Sequence, residues 1–569
     1  MRLSQLYLCG LLSPVLGLAS PTTPGLTQNI LPDSTLGAAE RSMVTPIGDA
    51  TNRIDGGTLR GSLLFHSFQE FSIPEGHGAY FANPDAVNVI FSRVTGNNPS
   101  LLFGTLGMLG EADLVFLNPN GILFGPNAEL DLRGAFTATT ATGLVFPGGE
   151  QFSAINPEAA PLLTVNVQAP VGIVFEGTDP AAIINQGELA VTVDQSLTLL
   201  GGGLANTGSL QSPGGTITML AAPGNYEVRL SDAGEVENWA PLAAPSSESL
   251  GLSVEALSAI ANVPAEELPA APNIFEPGTA VVSGSVDVSS NIGAGGTVAI
   301  LGDRTALIDA TVNASGVEGG GEIRVGGNYR GQGDLPTAAR TVVDAGSTLQ
   351  ANALEQGNGG QLVVWSDVGT QVFGQLTASG GSVGGDGGLV EVSSAGELTF
   401  AGTVSAAAMN GMDGTLLLDP KDIRIEPTGA EVATGQLFNF NPAGLSSISG
   451  AALSAAINAA NVELQANNDI VVADNITATT VGNGLTLRAG RAIAVQDDFA
   501  ISLNGGDFQA TINDSNADLA NRDPGDARFS MADGSSITTN GGNIIIEPGN
   551  LIGEAGEVSF EGATLNAGD

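Results

Sequence analysis

Few side chains in this sequence have types and spacings that could do chemistry. Two histidines, His66 and His77, stand eleven residues apart. With no cysteine cluster and no HExxH spacing beside them, they read as structural or solvated rather than as metal ligands. Neither joins a Ser/His/Asp set. Paired carboxylates can act as acid and base in a glycosidase or lyase. The candidate pairs are Asp419 with Asp422 in DPKD, and Asp523 with Asp526 in RDPGDAR. A site for an acidic sugar needs Arg or Lys nearby, and cations are sparse, so both pairs are expected to be solvated loop carboxylates. GGDGG at 384–388 occurs once, which is no repeating calcium array. The glycine runs precede no helix with a following lysine, so they are coil corners and not phosphate cradles. Trp239 and Trp365 could be sugar platforms, yet a single Trp in a strand such as LVVWSD is expected to pack half-buried. The expectation is no catalytic residue, no cofactor and no metal site.

The composition says what must position these residues. Charged residues are 13% of the 569, about half the usual share, and glycine numbers 80. Hydrophobic residues are 42% and aromatics 5%, so the core material is mostly small aliphatic, too much of it for a disordered chain. The formal net charge is −42, from 17 basic and 59 acidic residues, which leaves nothing from which to build a phosphate-binding face and excludes a nucleic-acid partner. The sole cysteine, Cys9, falls in MRLSQLYLCGLLSPVLGLAS, which reads as a secretory signal peptide over residues 1–19. Arg2 is its positive start, Leu3 to Leu16 its apolar run, and Ser20 the first mature residue. The mature chain then has no disulfide, and no later apolar run of about 18 residues could span a membrane as a helix.

Turn and strand signals dominate the rest. GSLLFHSFQEFSI (61–73) carries Phe65, Phe68 and Phe71. From about residue 165 a glycine pair followed by a β-run recurs: GGTITML at 214, GGTVAIL at 295, GGEIRV at 320, GGQLVVW at 359, GGLVEVS at 387 and GGNIIIEP at 541, with DGTLLLDP at 413. The starts from 295 to 413 are 25, 39, 28 and 26 residues apart. Such a period, with two or three short runs in each, marks a solenoid of β-coils, a parallel β-helix. Valine, isoleucine and leucine would stack inward while Gly and Asn take the corners. A solenoid needs its ends covered, and the aromatic region 61–146 is the expected N-terminal β cap. SSESLGLSVEALSAIANVPAEELPAAP (246–272) has helical spacing and is expected to leave the coil, and AALSAAINAANVELQ (451–465) to be a short helix entering a strand at Val462–Leu464. GEVSFEGATLNAG near Asp569 still reads as a coil, so the sequence either stops within a longer solenoid or is a short one.

FANPDAVNVIFSRVTGNNPS and TLGMLGEADLVFLNPNGILFGPNAELDLRGAFTATT closely resemble the N-terminal haemagglutination-activity, or two-partner secretion, domain of the filamentous haemagglutinin family. The residues that carry the resemblance are Asn83-Pro84, Arg93-Val94-Thr95-Gly96, Asn98-Pro99 and above all Asn118-Pro119-Asn120-Gly121-Ile122. GSLLFHSFQEFSI resembles the family too, and 387–423 is similar to its later β-helical part. The resemblance implies an all-β, right-handed parallel β-helix, exported through the periplasm and recognised by a partner outer-membrane β-barrel transporter with periplasmic recognition domains. The product would be secreted or held at the cell surface as an adhesin for a glycan or protein receptor on a host or neighbouring cell, and not an enzyme. Asn118 to Ile122 would be the transporter-recognition turn, or equally a buried corner that only keeps the domain folded. Asn83, Pro84 and Asp85 would form a second motif, whose Asp85-Ala86 departs from the family's usual Asn-Leu. The expected domains are the signal peptide 1–19, the secretion domain and cap 20–160, a β-helix 161–425 with an excursion near 240–275, and further coils 426–569. The alternatives are a β-helical polysaccharide lyase or hydrolase and a passive extracellular matrix protein.

Overall fold

The recurring β-runs that begin at 214, 295, 320, 359, 387, 413 and 541 all land on one face of a three-faced stack of coils. In the computed structural model, which describes residues 29–158, 168–231, 236–242, 276–427, 438, 446–519, 521–553 and 556–568, three long sheets of 17, 15 and 12 strands form the faces of a parallel β-helix. The expected signal peptide and the expected 246–272 excursion lie outside the described residues. One coil shows the plan. Thr297–Gly302 belongs to the 17-stranded sheet, Arg304–Leu307 to the 15-stranded and Thr311–Asn313 to the 12-stranded. The next coil repeats it with Glu322–Val325, Arg340–Val343 and Thr348–Gln350.

Register turns the aliphatic periodicity into a core. Val298, Ile323, Leu362, Val390, Leu416, Val462 and Leu485 are partners in successive parallel strands. All are buried, and each stabilises the stack by roughly 1.5–3 kcal/mol. Buried asparagines make a second ladder at a corner: Asn185 Nδ2 donates to Asn206 Oδ1 at 2.8 Å, and Asn206 Nδ2 to Ser285 O at 3.1 Å. These amides tie each corner to the coil that follows.

The glycine pairs are required by close approach. A Cβ on Gly321 would meet the carbonyl oxygen of Gly296, one on Gly360 that of Gly321, and one on Gly388 that of Gly360. At these corners coil stacks on coil with no room for a side chain.

The N-terminal β cap lies upstream of where it was expected. Asn29–Pro32 and Thr58–Arg60 pair antiparallel with Leu63–Ser72, and Ser42–Ile47 pairs antiparallel with Thr51–Gly56. The region 61–146 instead supplies the first coils: Leu63–Ser72, Val89–Val94 and Asp113–Leu117 already pair in parallel. Its aromatics serve a second purpose. A five-stranded sheet whose strands include Gly143–Val145, Gln151–Ser153, Gly172–Phe175 and Tyr226–Leu230 pairs antiparallel throughout. Phe65 and Phe91 of the coils pack with its Phe146, Phe152 and Phe175 in a core separate from the coil interior.

The short helix is Gly450–Ile457, capped by Ser449 Oγ, and it leads into Asn461–Ala466. It buries Leu453, Ala456 and Ile457. The 12-stranded sheet ends before it, and a four-stranded sheet beginning at Ile476–Val481 follows it, while the other two long sheets continue.

Candidate functional site

Asn118 stands where the chain leaves the strand Asp113–Leu117 and turns toward Ile122–Phe124. The turn needs a left-handed residue, and Gly121 takes it at φ +114°. The Asn118 side chain is fully buried, and every polar group on it is used. Nδ2 donates to Asn98 O at 3.1 Å and Ser100 Oγ at 2.9 Å, and Oδ1 accepts from Asn120 N at 3.0 Å and Asn120 Nδ2 at 3.1 Å. Asn120 Nδ2 also donates to Gly96 O at 2.8 Å, and Ser100 N to Gly121 O at 3.0 Å. The corner 118–122 is thus laced to the corner 96–100 of the preceding coil. Asn118, Gly121 and Ile122 face inward, whereas Pro119 and Asn120 are half-exposed beside exposed Asn97 and Asn98.

The second motif sits elsewhere. Pro84, Asp85 and Ala86 are exposed in the turn between Gly78–Ala82 and Val89–Val94, with Ala86 left-handed at φ +69°. With its amide oriented to satisfy both ends, Asn83 accepts from Ala112 N at 3.1 Å and Glu111 N at 3.2 Å. Those residues precede the strand that Asn118 follows. The two motifs are therefore at opposite ends of a five-residue strand, about 17 Å apart at ~3.3 Å per residue.

Arg93 is a buried cation in the strand Val89–Val94, and it gathers three separate segments. Nε donates to Ser67 Oγ at 3.0 Å, Nη1 to Ser153 O at 2.6 Å, and Nη2 to Thr35 Oγ1 at 2.9 Å and Pro157 O at 3.2 Å. Its guanidinium lies 4.4 Å from the centre of the Phe152 ring. Burial lowers its pKa to about 10, with Asp33 opposing, so it stays charged. Burial pushes the Asp33 carboxyl up, but hydrogen bonds from Ser67, Thr95 and Thr35 outweigh this and hold it below the usual range.

The remaining candidates come out differently. His66 is buried, with Nδ1 3.1 Å from Ser42 Oγ, and burial drops its pKa to about 3. His77 is half-buried on the surface of a turn. No group of three His, Cys, Asp or Glu able to hold a metal exists among the described residues. Trp365 is buried, its Nε1 donating to Asp367 Oδ1 at 3.1 Å, and Trp239 is half-buried against Tyr226.

The expectation of a solvated loop carboxylate fails for Asp419, whereas Asp422 stays in a loop, half-exposed. Asp419 ends the strand Thr415–Asp419, and burial raises its pKa to about 7. The structure pairs Asp422 with Asp523 rather than with Asp419: Asn468 Nδ2 donates to Asp422 Oδ2 and to Asp523 Oδ2, each at 3.1 Å. Lys421 lies 3.1 Å from Asp523 and holds its pKa down. Asp523 and Asp526 are exposed, as expected of them. Sequence reasoning missed Glu391. Both its carboxylate oxygens accept from Arg330 N, at 3.0 and 3.1 Å, where Arg330 is left-handed at φ +55°. Glu391 is fully buried, and burial raises its pKa to about 7. Its outward position in GGLVEVS predicts only a polar residue on an open face. The turn Tyr329–Gly331 that covers it comes from another coil.

Residues 28–243 match the family model described as TPS secretion domain. This part of the chain is a TPS secretion domain. Over 109 residues the chain is 33% identical to a heme/hemopexin-binding protein of Haemophilus influenzae, which covers 19% of this chain and 11% of that relative's length. Among solved structures, the HMW1 secretion domain from Haemophilus influenzae is 22% identical, with a TM-score of 0.40, covering 69% of this chain and 100% of that one. A filamentous hemagglutinin secretion domain is 16% identical, with a TM-score of 0.28, covering 74% and 100%. The Asn118 corner, the Asn83 turn and the Arg93 clasp all fall inside the secretion domain. The Glu391 and Asp523 clusters fall outside it.

Proposed function

We propose that the chain is a two-partner-secretion exoprotein, exported through the periplasm by a cognate outer-membrane β-barrel transporter that reads its secretion domain. The observation that carries the proposal is the division of labour at the Asn118 corner, within residues matched to the secretion-domain model. Asn118 is buried and spent on internal hydrogen bonds, while Pro119 and Asn120, although Asn120 Nδ2 donates inward to Gly96 O and Asn118 Oδ1, stand half-exposed next to Asn97 and Asn98. A transporter would read that rim, and the Asn83–Asp85 turn would serve as a separate contact. The absence of a disulfide in the mature chain suits passage through a pore unfolded, with the stacked coils forming outside. An adhesive role at the cell surface follows from the family resemblance, with a glycan or protein receptor.

The lyase or hydrolase alternative is weaker. Glu391 is covered by the Arg330 turn, and the exposed Asp523 has its pKa lowered by Lys421, whereas a general acid needs a raised one. A passive matrix protein would differ from an adhesin in binding nothing on a glycan array.

The test is secretion from cells carrying the cognate transporter, with stability measured on each purified variant. Asn120→Ala is expected to reduce secretion with stability changed by about 1 kcal/mol or less, and Asn118→Ala to cost roughly 2–3 kcal/mol. If secretion of every variant simply follows its stability, the corner is only a corner.

A further inference from the structure

Before each strand of the 17-stranded sheet, in the middle of the β-helix, the chain makes a long loop, and these loops stack on one another. Backbone bridges join Ser290 to Gly316, Gly316 to Ala353 and Gln356 to Gly384. Asn358 Oδ1 accepts from Asp386 N at 2.8 Å, and Asp386 Oδ1 accepts from Met412 N at 2.8 Å. The result is a fixed ridge parallel to the axis, not a row of loose loops.

The ridge exposes what a solitary surface would hide. Ile292, Val383, Met409 and Met412 are 76, 72, 78 and 73% exposed, with Leu354 between them at 48%. Scattered exposed apolar residues are ordinary, but exposed apolar residues in four of five stacked loops on a rigid support mark an interaction surface. Four of the five loops run directly into a glycine pair, and the first three pairs form the floor of an adjoining groove of about 500 Å³, edged by Thr297, Glu322 and Gln361. Acids alternate with the apolar tips: Glu318 and Glu355 are exposed and Asp386 half-exposed. None of the three takes part in an ion pair among the described residues. The loops 289–296, 314–321, 351–360, 378–388 and 406–414 contain no Lys or Arg.

We propose that this ridge is a docking surface for a basic amphipathic helix of a partner protein, lying along the β-helix axis with its apolar face on Ile292, Leu354, Val383 and Met409. Charge selects the occupant. A second copy of a chain with net charge −42 would repel, as would an anionic membrane. A helix of Leu and Lys supplies both the apolar face and the missing cations. Spacing selects the helical form. Coils rise about 4.8 Å and a helix about 5.4 Å per turn, whereas side chains on one face of a strand are about 6.6 Å apart. The ridge lies outside the residues matched as secretion domain, so this inference does not depend on the export reading.

The test is binding of a fluorescent amphipathic Leu/Lys peptide of about eighteen residues to the folded chain, by anisotropy at two salt concentrations. The comparison peptide has the same composition in scrambled order, which keeps the charge and loses the apolar face. The amphipathic peptide is expected to bind at least about tenfold tighter than the scrambled one. The triple variant Val383→Ser, Met409→Ser, Met412→Ser is expected to abolish that preference, and Glu318→Gln with Glu355→Gln to flatten the salt dependence. Ile155→Ser, an exposed apolar residue in the secretion domain, is expected to change nothing. Equal binding of the two peptides, a triple variant that binds like wild type, or an equal loss in Ile155→Ser overturns the proposal.

Discussion

Arg93 and Asp33 hold the same hydroxyl: Ser67 Oγ accepts from Arg93 Nε at 3.0 Å and donates to Asp33 Oδ2 at 2.7 Å. Through it the first described strand, the first coil and the hairpin that carries Phe152 become one body. Taking Arg93 away leaves Asp33 facing burial without its cation, and leaves the Ser153 and Pro157 carbonyls without a donor. Arg93→Ala is expected to cost about 3–5 kcal/mol, the range for breaking a buried charged network from one side. Asp33→Asn keeps acceptor capacity and is expected to cost about 1–2 kcal/mol. Chemical denaturation of the two variants checks the order. Near-equal losses would show that the two residues act chiefly through their charges, with packing of the guanidinium on Phe152 adding little.

The β-helix was legible because its causes are local and repeat. GGTVAIL, GGEIRV, GGQLVVW and GGLVEVS each carry the turn and the inward aliphatics in consecutive residues, and each became a strand of one sheet. The Asn118 turn was legible for the same reason. Its partners Gly96, Asn98 and Ser100 were not, because register between coils depends on how many residues each corner consumes. The covering sheet was hidden more deeply. Phe65 and Phe68 look alike in LLFHSF, yet Phe68 enters the coil interior and Phe65 the outer core, and only the antiparallel strands arriving from 143–241 decide that. Glu391 was misjudged on the same grounds: an outward position is solvated only if no loop from another coil lies over it.

His66 gives the cap region a definite pH response. Its folded pKa, about 3, is below the unfolded value of about 6.5, so the fold holds the neutral ring. The contribution is fully present above pH 6.5 and is lost as the pH falls toward 3. Over that window the slope approaches ~1.4 kcal/mol per unit. His66→Gln keeps a polar partner for Ser42 and cannot titrate. Between pH 7.5 and 4.5 the wild type is expected to lose more stability than the variant, and parallel melting curves would count against a neutral buried ring.

Glu391 works in the opposite sense. Burial raises its folded pKa to about 7, above the unfolded 4.5, so its favourable contribution is complete below the unfolded pKa and disappears as the pH rises through the folded one. Glu391→Gln keeps an acceptor for Arg330 N without the charge. The variant is expected to match wild type near pH 4 and to exceed it by roughly 1–3 kcal/mol at pH 8. Thermal melts at the two pH values check this. A variant less stable at both would mean that the carboxylate, with its two hydrogen bonds from Arg330 N, is needed ionised.

The glycine corners divide into those the stack requires and those it tolerates, and the two kinds can be told apart by adding one methyl group. A Cβ on Gly321 would strike the carbonyl oxygen of Gly296 and the backbone of Gly295, so two coils would have to separate. Gly384 has no atom within 4 Å of the same position and no left-handed φ. Gly321→Ala is expected to destabilise by about 1–3 kcal/mol through overpacking. Gly384→Ala is expected to be neutral or to stabilise by about 0.4–1 kcal/mol, because alanine narrows the unfolded ensemble. Because the Gly321 corner lies in the stacked ridge, its variant is also expected to weaken hydrogen-exchange protection in the flanking coils. Protection unchanged in both variants would mean that the coils open independently of their corners.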